Sequence, residues 1–158
     1  APPDQHAAIV ERTARLNMTI ALTAALMIIC TSWFFVPLFF GKAFTDAIPA
    51  TQILAMGIIF ISQRLVFTGY FKAINEMKYP IQAAWTGVMI TVVLDIILIP
   101  WFGIVGASWA TTLAYGTTVI YLIVVARRKL GFHLSAILLV RKSDIQWLLS
   151  KTNKNAQP

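Results

Sequence analysis

Charge is scarce in this chain, and side chains able to do covalent or metal chemistry are scarcer. Only 12% of its 158 residues are Asp, Glu, Lys or Arg, about half the ~25% of an ordinary soluble domain. The single cysteine, Cys30, lies inside an apolar run and can build neither a disulfide framework nor a cysteine-rich metal site. The two histidines, His6 and His133, sit far apart in polar flanks. No P-loop, glycine-rich dinucleotide turn or nucleophile elbow occurs, so no cofactor is expected. Membrane enzymes working at the water boundary need acidic or histidine groups there to bind metal or move protons. Here Asp4, Glu11, Glu76 and Asp144 are scattered, and the expectation is that the chain is not an enzyme.

Apolar sequence fills the space that charge leaves. Hydrophobic residues make up 58% of the chain, and the mean hydropathy is +0.74. Four long apolar stretches occupy most of the chain between Leu16 and Ala126. The first runs from Leu16 to Gly41 without a formal charge, beyond the ~20 residues that cross a bilayer core of ~30 Å. None alternates apolar and polar residues, which excludes lipid-facing barrel strands in favour of helices. The expected class is therefore all-α, a polytopic membrane helix bundle of about four transmembrane helices.

Proline, glycine and charge punctuate the runs. Residues 1–15 read as a cytoplasmic loop, followed by a transmembrane region over 16–130. The spans are expected at 16–36, 49–71, 80–99 and 106–126, with Pro37 and Gly41, Lys72, the Pro100–Gly106 break and Arg127 as their stops. Arg12 and Arg15 precede the first span, Lys72 and Lys78 flank the loop after the second, and Arg127, Arg128 and Lys129 follow the fourth. The opposite loops hold only Lys42 with Asp46, and no charge around Trp101. The positive-inside rule then puts both termini and the middle loop in the cytoplasm of a multi-pass protein. On this reading the net charge of +7 is topological, with no nucleic-acid partner implied. Residues 131–158 read as a basic cytoplasmic tail with a short interfacial helix at Ser143–Leu149, resting on anionic membrane lipid. The absence of an initiator Met and the loop-like opening lead us to expect the C-terminal part of something longer.

Four residues are candidates for a mechanism. Arg64 lies inside the second span, where an arginine costs at least ~2.5 kcal/mol and usually faces a partner, a cavity or a polar substrate. Snorkelling to the headgroups is the alternative. Gln63 and Ser62 make its neighbourhood polar. Asp95, in the third span, could carry a coupling proton, or could simply tie its helix to a neighbour. Counting along the spans separates the two by about 12 Å in depth. Trp101 belongs to an aromatic belt with Trp33 and Trp109, and sugar stacking is its alternative role. Gly106, Ala110 and Ala114 form a small-residue stripe suited to close helix approach.

The order of these pieces resembles the C-terminal region of O-antigen and exopolysaccharide flippases of the multidrug/oligosaccharidyl-lipid/polysaccharide exporter superfamily. The likeness rests on PLFFGKAFTDA after the first span, FKAINEMKYP after the second and LDIILIPWFGIVGASWATTLAYG across the last two. In that final segment Pro100, Gly103, Gly106, Ala107, Ala110 and Thr111 fall on the family pattern, and Asp95 stands where the family commonly has Asn. The resemblance implies a parent of roughly twelve helices in two pseudo-symmetric lobes, these being the last four. It further implies alternating access in a bacterial inner membrane and a polyprenyl-pyrophosphate-linked oligosaccharide as cargo, with the parent's remaining helices as partners. Arg64, Gln63 and Trp101 are then the expected substrate contacts and Asp95 the ion-coupling residue. Two alternatives stand beside it: a multidrug and toxin exporter of the same superfamily, or a non-transporting module that assembles with polysaccharide-synthesis enzymes.

Overall fold

The computed structural model describes residues 3–130, and the expected tail helix at Ser143–Leu149 lies outside them. Among the described residues there are no strands, in keeping with the all-α expectation. Helix α1 spans Pro3–Phe40, α2 spans Ile48–Ala73 and α3 spans Lys78–Leu130, with a 3-10 segment at Lys42–Ala47 between the first two. All three α-helices are long and apolar enough to cross a membrane.

Helix α3 is not one rod. A straight helix of its 53 residues would reach ~80 Å, more than twice a bilayer core. Gly103 breaks it with φ 56° and ψ −132°, a combination that a side chain all but forbids. The chain doubles back there. Tyr121 Oη donates to Gln82 Oε1 at 2.7 Å, and Lys129 pairs with Glu76 at 2.7 Å. A Cβ placed on Gly87 would lie 2.7 Å from Thr118 Cγ2. These pairs are nearly equidistant from Gly103, as in an antiparallel hairpin of two arms, 78–102 and 104–130. Each arm is about 25 residues or ~38 Å long. Gly106 permits the tight return, because a side chain there would run into the Leu98 carbonyl.

Helix α2 is the centre of the bundle. It runs antiparallel to α1, joined by Gln52 Nε2 donating to Ser32 Oγ (3.2 Å) and Gln63 Nε2 donating to the Ala14 carbonyl (3.0 Å). It runs parallel to the second arm of α3, where Thr112 Oγ1 donates to the Ile53 carbonyl (3.2 Å). Ala110 and Ala114 of that arm are fully buried and Gly106 is buried at the turn, so the small-residue stripe serves close packing.

The two ends of the bundle differ. Val10, Ala14, Phe67, Phe71, Ala83, Leu122 and Ala126 form one buried cluster, next to the helix ends that carry Lys72, Lys78, Arg127, Arg128 and Lys129. At the other end Trp33, Phe34, Phe39, Phe40, Trp101 and Phe102 are exposed. We call these the basic end and the aromatic end.

Several boundaries differ from the sequence expectation. Residues 3–15, expected as a loop, are already helical, and α1 continues through Pro37 to Phe40. A proline this near a helix end gives up little: it lacks one N–H, and few residues remain beyond it to be displaced. The stop comes at Gly41, whose φ of 86° suits glycine, and whose N–H is still held by the Pro37 carbonyl at 3.0 Å. Likewise Pro100 lies within α3, and the reversal waits for Gly103.

Candidate functional site

A crevice opens where α2 faces the α3 hairpin. Arg64 lines it from α2, Gly87 and Thr91 from the first arm, and Tyr115 and Thr118 from the second, around a cavity of about 310 Å³. The cavity exists because small residues stand opposite the guanidinium: Ala84, Gly87 and Ala114 belong to its wall. The hydroxyls of Thr91 and Thr118 donate to carbonyls of their own helices, Gly87 at 2.9 Å and Tyr115 at 2.8 Å. Their lone pairs stay available as acceptors. Arg64 is partly buried and makes no ion pair or hydrogen bond among the described residues. The site is thus a half-buried guanidinium in a wall of apolar and hydroxyl groups. Such a cation attracts an anion more strongly than it would in water, and it offers paired donors to phosphate oxygens.

Asp95 lies one turn beyond Thr91 on the same face of the first arm, a rise of ~6 Å. Arg64 lines its cavity with Gly87 and Thr91, and Asp95 lies beyond the residues that line it. No ion pair joins Asp95 to Arg64. The Asp95 Oδ1 atom is buried without a hydrogen-bond partner among the described residues, which carries an energetic cost.

The other two expected contacts lie elsewhere. Gln63 is adjacent to Arg64 in sequence, but a helix turns ~100° per residue. Its side chain therefore leaves a different face of α2 and enters the contact with α1, where Nε2 donates to the Ala14 carbonyl. Trp101 is 82% exposed at the tip of the hairpin, remote from the crevice. Sequence reasoning passed over Thr91, Tyr115 and Thr118 as site residues. The signal was available as spacing, since Ala84, Gly87, Thr91 and Asp95 recur every three or four residues along one face. Among the described residues no group of His, Cys, Asp or Glu is arranged to hold a metal ion.

Helices of membrane-crossing length packed into a bundle define a polytopic membrane protein. The profile of the lipid II flippase MurJ family matches residues 3–150, nearly the whole chain. The chain belongs to that family, which sits in the multidrug/oligosaccharidyl-lipid/polysaccharide exporter superfamily and is flippase-like rather than enzymatic. The match supports the exporter superfamily without singling out O-antigen flippases. The chain is also 25% identical over 106 residues to the uncharacterized membrane protein MJ1068 of Methanocaldococcus jannaschii. That alignment takes in 67% of this chain and 21% of the relative, so the chain matches about a fifth of that relative's length. No solved structure matches the chain.

Proposed function

We propose that this chain is part of a flippase that carries a saccharide on polyprenyl pyrophosphate across a bacterial inner membrane by alternating access. Both termini lie in the cytoplasm, and the two arms of α3 count as separate crossings, four in all. The family description names lipid II. It moves the expected cargo from an O-antigen or exopolysaccharide unit to the chemistry those substrates share, a sugar head on a lipid pyrophosphate. Arg64 carries the reading: it is a cation without a partner, facing a cavity inside the bundle. It contacts the pyrophosphate while the head group passes, and the lipid tail stays in the bilayer. Asp95, one turn beyond Thr91 and with an unpartnered oxygen among the described residues, takes the coupling proton or cation.

Arg64→Ala and Arg64→Lys in the full-length protein test this. Reconstituted into vesicles with a fluorescent lipid-linked saccharide, the Ala variant should lose flipping while inserting at normal abundance. The Lys variant should retain part of it, since charge remains and the paired donors are lost. Undiminished flipping by Arg64→Ala would overturn the assignment. The unpartnered Asp95 carboxyl also fits a cationic cargo, which favours the drug-exporter reading. Cells whose drug resistance depends on Asp95 and not on Arg64 would decide for it.

A further inference from the structure

We propose that the outward face of the second arm of α3 seats one anionic phospholipid at the basic end of the bundle. A groove of about 590 Å³ is lined there by Ile120, Ile123, Val124, Arg127 and Arg128. Val119, Leu122 and Ala126 of the same arm are buried, so the groove lies on the opposite, outward side. The three apolar residues and the two arginines are successive turns of one face, chain-binding wall first and cations at its mouth.

The three cations that close this helix are not equivalent. Lys129 is taken, paired with Glu76 at 2.7 Å and standing 5.3 Å from the centroid of the Tyr79 ring. Arg127 and Arg128 are exposed and make no ion pair or hydrogen bond among the described residues. Two adjacent free guanidiniums offer several donors to one phosphate, the geometry arginine provides better than lysine. The depth is right for a phospholipid. From Arg128 to Ile120 is a rise of ~12 Å, inside the ~15 Å of one leaflet's hydrocarbon. Ile120 also lines a second recess of about 590 Å³ against α2, with Met56, Phe60 and Trp109 in its wall, so an acyl chain longer than the groove has somewhere to continue. A zwitterionic lipid also brings a phosphate, but its ammonium is repelled by two adjacent cations, and a soluble anion has no use for the apolar wall. The combination selects a lipid with net negative charge. Arg64 takes no part, so this inference stands or falls separately from the flippase reading.

Native mass spectrometry of the full-length protein, titrated in detergent with phosphatidylglycerol or phosphatidylcholine, tests it. Phosphatidylglycerol should be retained in preference, and the double variant Arg127→Gln, Arg128→Gln should bind it about thirtyfold more weakly. Ile123→Trp, which fills the groove and leaves both cations, should weaken binding as well. Lys42→Gln, a lost cation at the opposite end, should change nothing. Circular dichroism confirms that the variants keep their helices. Equal retention of the two lipids, indifference to Ile123→Trp, or displacement of the lipid by inorganic pyrophosphate would each overturn the proposal.

Discussion

At the scale of single residues, two positions separate conformation from chemistry. Gly103 is required by its backbone: φ 56° with ψ −132° lies outside even the left-handed helical region open to other residues. Gly103→Ala should therefore cost about 1–3 kcal/mol, visible as a lower midpoint in denaturant unfolding from detergent. An unchanged midpoint would mean the hairpin turns somewhere else. Gln63 shows the opposite case, a polar residue whose replacement should be mild. Its bond to the Ala14 carbonyl is worth ~0.6 kcal/mol by the average of interhelical bonds in membranes. Against that, its Oε1 is buried without a partner, a standing cost of ~1–3 kcal/mol. Gln63→Leu, similar in size, should leave stability within about 1 kcal/mol of the parent and leave flipping intact. Loss of flipping at normal abundance would restore Gln63 to the substrate site.

At the scale of elements, side-chain bonds fasten the basic end of the α3 hairpin. Glu76, in the turn after α2, reaches Lys129 at the end of the second arm, and Tyr121 reaches Gln82 one level further in. These bonds staple the open end of the hairpin. Each partner is partly exposed, at 32% for Lys129 and 29% for Glu76, so the pair contributes modestly. A double-mutant cycle of Glu76→Gln and Lys129→Gln should give a small coupling that shrinks in high salt. A larger, salt-insensitive coupling would mean the pair is desolvated by something beyond the described residues. The elements themselves were largely legible in the sequence, because hydropathy is an average over some twenty residues and survives local exceptions. Their ends were legible only to within a few residues, although Gly41 and the Pro100–Gly106 break were both expected as stops. Pro37 and Pro100 look like stops, yet both fall inside helices. A proline removes one donor, while the true stops at Gly41 and Gly103 need backbone angles that only the folded chain reveals. The crevice was half legible for a related reason. Arg64 stands out by its cost in lipid, but its neighbours Gly87 and Thr118 come from distant stretches of sequence. Gln63, its neighbour in the chain, leaves a different face of α2.

At the scale of the molecule, the distribution of charge and aromatic residues makes a statement about direction. The helix ends of the basic end carry cations, and the buried cluster of Phe67, Phe71 and Leu122 lies beside them. The aromatic end offers only Lys42 and Asp46 as charges, and Trp33 and Trp101 are 70% and 82% exposed. Positive loops are retained on the cytoplasmic side during insertion, and tryptophans settle at the interface. Because α1 and α2 form one antiparallel pair and the arms of α3 another, all the loops of one end must share a side. The geometry permits no mixed answer. With Cys30 replaced by serine, single cysteines at Lys78 and Arg128 should be shielded from a membrane-impermeant maleimide in intact cells. Cysteines at Phe44 and Trp101 should react. If Trp101 were shielded while Phe44 reacted, α3 would cross the bilayer without folding back at Gly103. If the whole pattern were inverted, the bundle would stand but the cytoplasmic placement of its basic end would fall.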